Sequence, residues 1–232
     1  MEVNISDEGF VNKDCLIGTR ASSNYYELKQ DILSGRLKPG SKLRLNSLKD
    51  DYNIGSSPLR EALNRLTANG MVCQLENKGF RVSPISIDEL DDIVKTRCML
   101  EEVALRQSIN KNDDAYYERI ILLTFRLSRA ERDYKINTCS SLRDDLHKDF
   151  HQAILSGCES KLLIKYCLSL YEQTLRYSNL IINEKCRQDQ EEKDHQAICD
   201  AILNRNADEA IQLLRSHYQI TKDLIIKSDN LI

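Results

Sequence analysis

The stretch that decides the fold is residues 54–82, IGSSPLREALNRLTANGMVCQLENKGFRV. Its apolar residues recur at helical spacing from Pro58, which suits a first helical turn, and this pattern predicts a helix over Pro58–Asn69. Ser56 and Ser57 are available to cap that helix, and Gly70 is the expected stop. Two short apolar runs separated by a polar tip follow, which predicts a β-hairpin.

A shorter helix over Ser47–Tyr52 precedes this stretch, and a Gly-containing turn separates the two helices. Such an arrangement is typical of a helix-turn-helix, whose second helix enters a major groove with its N-terminus first. The hairpin would then be a wing, with Lys78 near phosphate and Gly79 allowing close backbone approach. An ordinary helical hairpin with a capping strand pair fits the same spacing. The candidate DNA-contacting residues are Arg44, Ser56, Ser57, Arg60, Asn64, Lys78 and Gly79.

The charge is distributed unevenly along the 232 residues. Residues 22–83 carry ten Lys and Arg against six Asp and Glu, a net charge of +4, while the whole chain carries −3, so the remainder carries −7. A basic N-terminal third on an acidic remainder favours a DNA-binding module joined to a domain of another kind.

The eight cysteines include no CxxC pair, and the first 20 residues have no apolar core of a signal peptide. No apolar run approaches the roughly 20 residues that cross a membrane. We therefore expect a cytoplasmic protein whose cysteines are mostly small buried hydrophobic residues. Redox sensing by those cysteines is the alternative.

The expected fold class is mainly α: a winged helix-turn-helix of three helices and a small β-hairpin, followed by an all-α antiparallel bundle. We expect a flexible arm over residues 1–21, the winged domain over 22–83, a linker over 84–86 and the helical domain over 87–230. Ser86 and Glu89 form a capping box at the start of the helical domain. Helical patterns then cover 87–109, 115–135, 140–156, 160–182, 188–203 and 207–228.

Arg97 interrupts a semi-apolar stripe of the first of these helices. It can form an ion pair with Glu101 one turn later, or it can bind an anionic ligand, and the sequence favours neither role over the other. Arg176 and Tyr177 lie on a later helix, where they can face a pocket or the surface equally well.

The four histidines are the clearest chemical signal in the chain. His147 and His151 lie on one helix face at i, i+4, while His195 and His217 lie on two later helices at similar distances from the turn that joins them. Such a set can converge inside a bundle and bind a transition metal. The alternative is four unrelated histidines, some buried and some on the surface.

The N-terminal stretch resembles the DNA-binding domain of the GntR family of bacterial transcriptional regulators. The resemblance covers about 60 residues and rests on I-x-x-G-x-L-x-P-G-x-x-L, P-L-R-E-A-L and G-F-R-V. The family has Ser-Arg-Thr-Pro before its Arg-Glu-Ala-Leu, so its usual base-reading Arg is Ser56 here, and Leu45 stands where the family often has Glu. Arg60 is retained for a phosphate or a guanine edge, unless it pairs with Glu61 or Asp51.

Residues 86–228 resemble the FCD effector domain of the FadR-type branch, which has a metal site and a carboxylate effector. By this resemblance His151 in DFHQAIL, His195 in KDHQAICDAI and His217 in LLRSHY are metal ligands. The family's Asp falls on His147, as in the group resembling the carbon-starvation-induced repressor. Arg97 matches the Arg that meets the effector, and Arg176 is a further candidate. An all-His set favours zinc or nickel over calcium or magnesium.

These expectations describe a homodimeric regulator, not an enzyme, that represses by binding two-fold operator DNA and that responds to a small carboxylate. One alternative is a metal-responsive sensor with no organic effector. Another is a metal-dependent enzyme that uses the His cluster, against which we find no well-placed general base other than Asp144 and Asp149.

Overall fold

The structure is a computed structural model that describes residues 20–76, 78–111, 113–137, 140–178 and 185–227. The chain divides into two compact units between Pro84 and Ile85. Residues 1–19 of the expected N-terminal arm lie outside the described residues, and the first helix begins at Arg20. The domain limits inferred from the sequence, 22–83 and 87–230, are kept as a proposal. None of the described helices combines the length and apolar character that crossing a membrane requires.

The N-terminal unit contains three helices and three strands. In chain order they are α1 (Arg20–Leu33), β1 (Lys42–Leu43), α2 (Leu45–Asp51), α3 (Ser56–Ala68), β2 (Val72–Leu75) and β3 (Gly79–Val82). Helix α3 packs against α1 because its apolar positions repeat with the helical period, and Leu59, Leu63 and Leu66 of α3 are fully buried, as is Leu28 of α1. Gly70 ends the helix with a φ of 71°, a conformation in which glycine has no steric cost.

The start of α3 differs from the sequence prediction. The helix begins at Ser56, its N-cap is Gly55, and no side chain caps it. Pro58 therefore occupies the third helical position, where its missing N–H is still one of those that have no partner within the helix. The predicted capping role of Ser56 and Ser57 is wrong, and both side chains are exposed instead.

The wing is a three-stranded antiparallel sheet in the order β1-β3-β2. The predicted hairpin forms from β2 and β3, with Val72 opposite Val82 and Leu75 opposite Gly79. The short extended piece before α2 adds the third strand, because Leu43 pairs with Phe80. Both of these side chains are buried, which fixes the register.

The C-terminal unit is helical throughout its described residues. Its helices are α4 (Ile87–Asn110), α5 (Asp114–Asn137), α6 (Ser140–Leu155), α7 (Lys161–Ser178), α8 (Lys185–Leu203) and α9 (Ala207–Lys227). Helix α4 packs against α7 and α9, and α5 packs against α6 and α8. Ser86 caps α4 by accepting from the backbone N–H of Glu89, as predicted. The fold class is thus confirmed: mainly α, with a winged helix-turn-helix before an all-helical unit.

Candidate functional site

Four histidines from three helices meet inside the C-terminal unit. Helix α6 supplies His147 and His151, α8 supplies His195, and α9 supplies His217. One ring nitrogen from each histidine lies within 4.8 Å of those of the other three. His147 is half-buried and the other three are buried. The structure therefore brings together all four histidines that the sequence selected.

Two tyrosine hydroxyls contact two of these rings at Nδ1. The Tyr171 hydroxyl lies 3.0 Å from Nδ1 of His147, and the Tyr218 hydroxyl lies 3.2 Å from Nδ1 of His151. Tyr218 also donates its only hydroxyl proton to Glu101. The contact with His151 is therefore an Nδ1–H that donates to the hydroxyl oxygen, which leaves the lone pair on Nε2 of His151.

Two carboxylates contact the other two rings, again at Nδ1. Asp194 Oδ2 lies 3.4 Å from Nδ1 of His217. Glu131 Oε1 lies 3.3 Å from Nδ1 of His195, although these two atoms are not aligned as a hydrogen bond. All four rings thus meet a polar group at Nδ1, an arrangement that orients imidazoles in metal sites.

The opposite ring nitrogens fit a transition-metal ion. Nε2 of His147, His151 and His195 is buried and has no hydrogen-bond partner in the described part of the chain. Buried polar atoms are rarely left without a partner in native proteins, and imidazole nitrogens are preferred ligands of zinc, nickel, copper and iron. A set of four imidazoles, with no carboxylate among the converging atoms, suits those ions better than calcium or magnesium.

The surroundings keep most of these rings neutral. Burial and the neighbouring histidines hold the pKa of His147 and of His151 well below the usual value. Burial also lowers the pKa of His217, although its contact with Asp194 acts in the opposite direction. Neutral imidazole is the form that coordinates a metal.

A cavity opens beside three of the four histidines. His147, His151 and His217 line it together with Arg97, Tyr171, Thr174, Leu175, Glu191, Tyr218, Thr221, Lys222 and other residues of α4 and α9. Most of its charged lining groups are already paired: Lys222 contacts Asp91, and Glu191 contacts Arg143. Arg97 differs from these groups because one of its nitrogens is still available.

Arg97 is held rigidly and retains a free donor. Its Nε donates to Glu101 at 2.9 Å, its Nη1 donates to Thr174 at 3.3 Å, and its guanidinium carbon lies 4.0 Å from the centroid of the Tyr218 ring. Its Nη2 is buried and has no hydrogen-bond partner among the described residues. Arg97 therefore forms the intrahelical pair with Glu101, while its binding of an anionic ligand stays a prediction.

Arg176 contacts residues that do not line this cavity. It is not among the residues that line the cavity. Its Nη2 lies 3.4 Å from Glu89 Oε2, at the start of α4, and its guanidinium lies against the ring of Tyr177. Its role in effector binding stays a prediction.

The DNA-binding candidates lie in the N-terminal unit as two groups. The first is exposed on α3 and comprises Ser56, Ser57, Arg60 and Asn64. The described residues contain no ion pair between Arg60 and Glu61 or Asp51, so the alternative role of Arg60 is not observed. The second group lines one shallow groove, where Arg44 lies near Lys78 and Gly79 of the wing tip. Gly79 has a φ of 83°, a backbone conformation that is strained for any residue with a side chain.

Several residues of the histidine site could not be selected from the sequence. Tyr171 and Thr174 come from α7 and Glu131 from α5, and each contacts a residue at least 24 positions away. Asp194 precedes His195 in the sequence but contacts His217, so adjacency gives the wrong partner. Tyr218 carries the one usable signal, because it directly follows a ligand candidate.

Comparison with protein families matches both units. Residues 21–82 match the gntR family of bacterial regulatory proteins, and residues 92–220 match the FCD domain.

Similar chains are transcriptional regulators. The chain is 34% identical over 208 residues to the uncharacterized HTH-type transcriptional regulator BphR of Paraburkholderia xenovorans (strain LB400). This match covers 85% of this chain and 81% of BphR. It is 31% identical over 198 residues to the HTH-type transcriptional repressor GlaR of Escherichia coli (strain K12). This match covers 83% of this chain and 90% of GlaR.

Solved structures share the fold. E. coli McbR/YncC superposes with a TM-score of 0.75 at 18% identity, over 91% of this chain and 99% of that one. A GntR regulator from Rhodococcus sp. RHA1 superposes with a TM-score of 0.73 at 16% identity, with the same coverage.

Proposed function

The chain belongs to the GntR family of bacterial regulatory proteins, and from this premise we propose that a small carboxylate controls its affinity for operator DNA. Membership in the family, together with the FCD domain, makes it a transcriptional regulator and not an enzyme. Repression is the proposed sign of its action, as the name of its relative GlaR states for that protein. Because the proposed partner is operator DNA, the proposed location is the cytoplasm.

The free donor of Arg97 is the observation that carries the effector proposal. A buried guanidinium nitrogen without a partner is unfavourable, and a carboxylate oxygen is its strongest natural acceptor. Glu101, Thr174 and the Tyr218 ring already fix the guanidinium, so little side-chain entropy would be lost when an acid binds. The same cavity is lined by three of the four histidines, so a metal ion held by them would give an acid a second anchoring point.

A divalent transition metal, zinc or nickel, is part of this proposal. His147, His151, His195 and His217 would hold it, and once bound it would supply positive charge beside Arg97 for an anionic ligand. The chain's own contribution is orientation, because Tyr171, Tyr218, Asp194 and Glu131 each meet one ring at Nδ1.

The ligand signal begins in a connected network. Arg97 holds Glu101, Glu101 accepts from Tyr218, and Tyr218 accepts from His151. An acid that takes the free donor of Arg97 changes the charge balance of this whole network. It alters DNA binding only if it prefers one of two arrangements of the protein, since only differential affinity shifts an equilibrium.

The proposed DNA contacts divide into reading and anchoring groups. Arg60 and Asn64 lie one turn apart on the exposed side of α3, where side chains can reach base edges. Arg44 and Lys78 lie beside the wing groove and suit phosphate contacts. Two-fold operators are read by symmetric dimers, and we include a homodimer in the proposal. Met99 and Val103, exposed one turn apart on α4, are apolar candidates for the contact between copies.

A metal sensor is the second candidate function, and one observation favours it. Four imidazoles are enough to complete a four-coordinate site, which would leave the ion itself as the signal. The two candidates separate in fluorescence-anisotropy titrations against DNA from upstream of the protein's own gene, with scrambled DNA as control. We expect the protein to bind this DNA selectively. Neither a chelator nor metal alone should weaken that binding, whereas one carboxylate should. Affinity that follows free metal with no acid present would establish the sensor instead.

A further inference from the structure

Glu131 is a buried carboxylate next to the histidine cluster, on a helix that supplies none of the four rings. It belongs to α5, and its exposed fraction is 2%. Neither of its carboxylate oxygens has a hydrogen-bond partner among the described residues. A buried carboxylate without hydrogen bonds or a cation is strongly unfavourable, so its presence in the core calls for a compensating charge.

The other fully buried acids around the cluster already have such compensation. Glu101 pairs with Arg97, and Glu191 pairs with Arg143 at 2.8 Å. Glu131 contacts neither Lys nor Arg in the described part of the chain. Its one ion-pair contact among the described residues is with His195, whose Nδ1 lies 3.3 Å from Oε1.

His195 has a position that connects Glu131 to the other rings. Its ring centroid lies 5.0 Å from that of His147 and 4.9 Å from that of His217. Both of its nitrogens are buried and lack hydrogen-bond partners among the residues that the structure describes. A proton on Nδ1, the nitrogen that lies nearest Glu131, would leave the lone pair on Nε2, the nitrogen that ligates in such carboxylate–histidine pairs.

We propose that Glu131 is the outer carboxylate of the metal centre, which fixes His195 as an Nε2 ligand and balances the charge of a bound dication. This inference rests on the proposed metal site and adds a residue to it. Imidazole coordinates a metal in its neutral form, and a nearby negative charge makes a neutral donor set bind a dication more tightly. Glu131 acts through His195 and is therefore a positioning residue.

With this role, the metal-free and the metal-bound protein respond differently to the loss of the Glu131 charge. In the metal-free protein, Glu131→Gln removes an uncompensated buried carboxylate and keeps its shape, so thermal stability is unchanged or increased. In the metal-bound protein, the same change weakens the site. A carboxylate with a purely structural role would instead lower the stability of the metal-free protein and leave metal affinity unchanged.

The experiment compares wild type, Glu131→Gln and Glu118→Gln, a matched control on the exposed side of the same helix. Zinc affinity is measured by competition with a chromophoric chelator, and Tm is measured with zinc and after chelation. We expect Glu131→Gln to raise the zinc Kd about 10–100-fold without lowering the metal-free Tm, and Glu118→Gln to match wild type. Glu131→Asp, which keeps the charge at a shorter reach, should fall between wild type and Glu131→Gln in zinc affinity.

The outcomes separate this inference from the proposed function. If wild type binds zinc and Glu131→Gln binds it equally well, the role of Glu131 is wrong and the metal site stands. A metal-free Tm that falls in Glu131→Gln while zinc affinity holds assigns Glu131 to structure alone. If wild type binds neither zinc nor nickel, the proposed metal site fails, and the role of Glu131 fails with it.

Discussion

The hydroxyl oxygen of Tyr218 lies 3.2 Å from Nδ1 of His151, and its proton is donated to Glu101. One hydroxyl therefore joins a candidate metal ligand to the acid that holds Arg97. The side chains of Tyr218, His151, Glu101 and Arg97 are all buried, so water cannot replace a hydrogen bond that is removed from this group.

Tyr218→Phe should lower stability by about 1–3 kcal/mol, because it leaves buried atoms of Glu101 and His151 without partners. It should also weaken metal binding, since the tautomer of His151 is no longer fixed. Urea denaturation and chelator competition measure the two effects. Tyr166→Phe, at an exposed position of α7, is the control and should change neither. Unchanged stability in Tyr218→Phe would show that this hydroxyl is not a structural link.

Arg97→Lys should weaken binding of the carboxylate at least tenfold. Lysine keeps a positive charge near Glu101, which avoids leaving a buried carboxylate alone, but it lacks the planar fork that provides Nη2. Calorimetric titration of the acid into metal-loaded protein measures the loss. Arg176→Lys serves as the matched control, because Arg176 does not line the cavity. Equal losses in both variants would place the acid elsewhere.

Metal loading should stabilise the C-terminal unit. A ligand that binds only the folded protein at 100 times its Kd adds about 2.7 kcal/mol of stability. We expect zinc and nickel to raise Tm after chelation, and calcium and magnesium to have no effect, because the converging atoms are imidazole nitrogens. His151→Ala should abolish the zinc-dependent shift. A rise in Tm with magnesium comparable to that with zinc would contradict the assignment of the donor set.

Arg60 and Lys78 should differ in their effect on DNA binding. Arg60→Ala is expected to cost about 1–3 kcal/mol on the operator and to reduce selectivity, whereas Lys78→Ala should weaken all sequences alike and reduce the salt slope by about one. Anisotropy on operator and scrambled DNA across a salt series distinguishes them. The division into reading and anchoring groups is wrong if Arg60→Ala weakens both DNAs equally.

Asp91 should make stability depend on acid pH. Its hydrogen bonds to Lys222 and Lys95 lower its pKa from 3.8 to about 2. Because the folded pKa is the lower one, the contribution is complete well above the unfolded pKa of 3.8 and is lost as pH falls towards 2. Denaturation of wild type and Asp91→Asn should therefore show a stability difference that is constant from pH 7 to pH 5 and smaller at pH 3. A difference that grows towards pH 3 would contradict this sign.

The helices were predictable because their apolar residues repeat regularly and their ends carry chemical markers. Ser86 and Gly70 mark ends as expected, and the four histidines were found because two lie on one helix face and two flank one turn. The start of α3 was missed because Pro58 is tolerated two positions later than its preferred place. Contacts between distant helices, such as that of Glu131 with His195, have no periodic signature and need the packed structure.

The most direct test of the central claim is operator affinity during titration of the carboxylate into metal-loaded protein. Wild type and Arg97→Lys are compared by anisotropy on the same DNA at fixed salt. The account predicts that the acid weakens the wild-type complex in a saturable way, and that Arg97→Lys binds the operator normally but needs at least tenfold more acid. Release at the same acid concentration in both proteins would contradict it, because the signal would then not pass through Arg97.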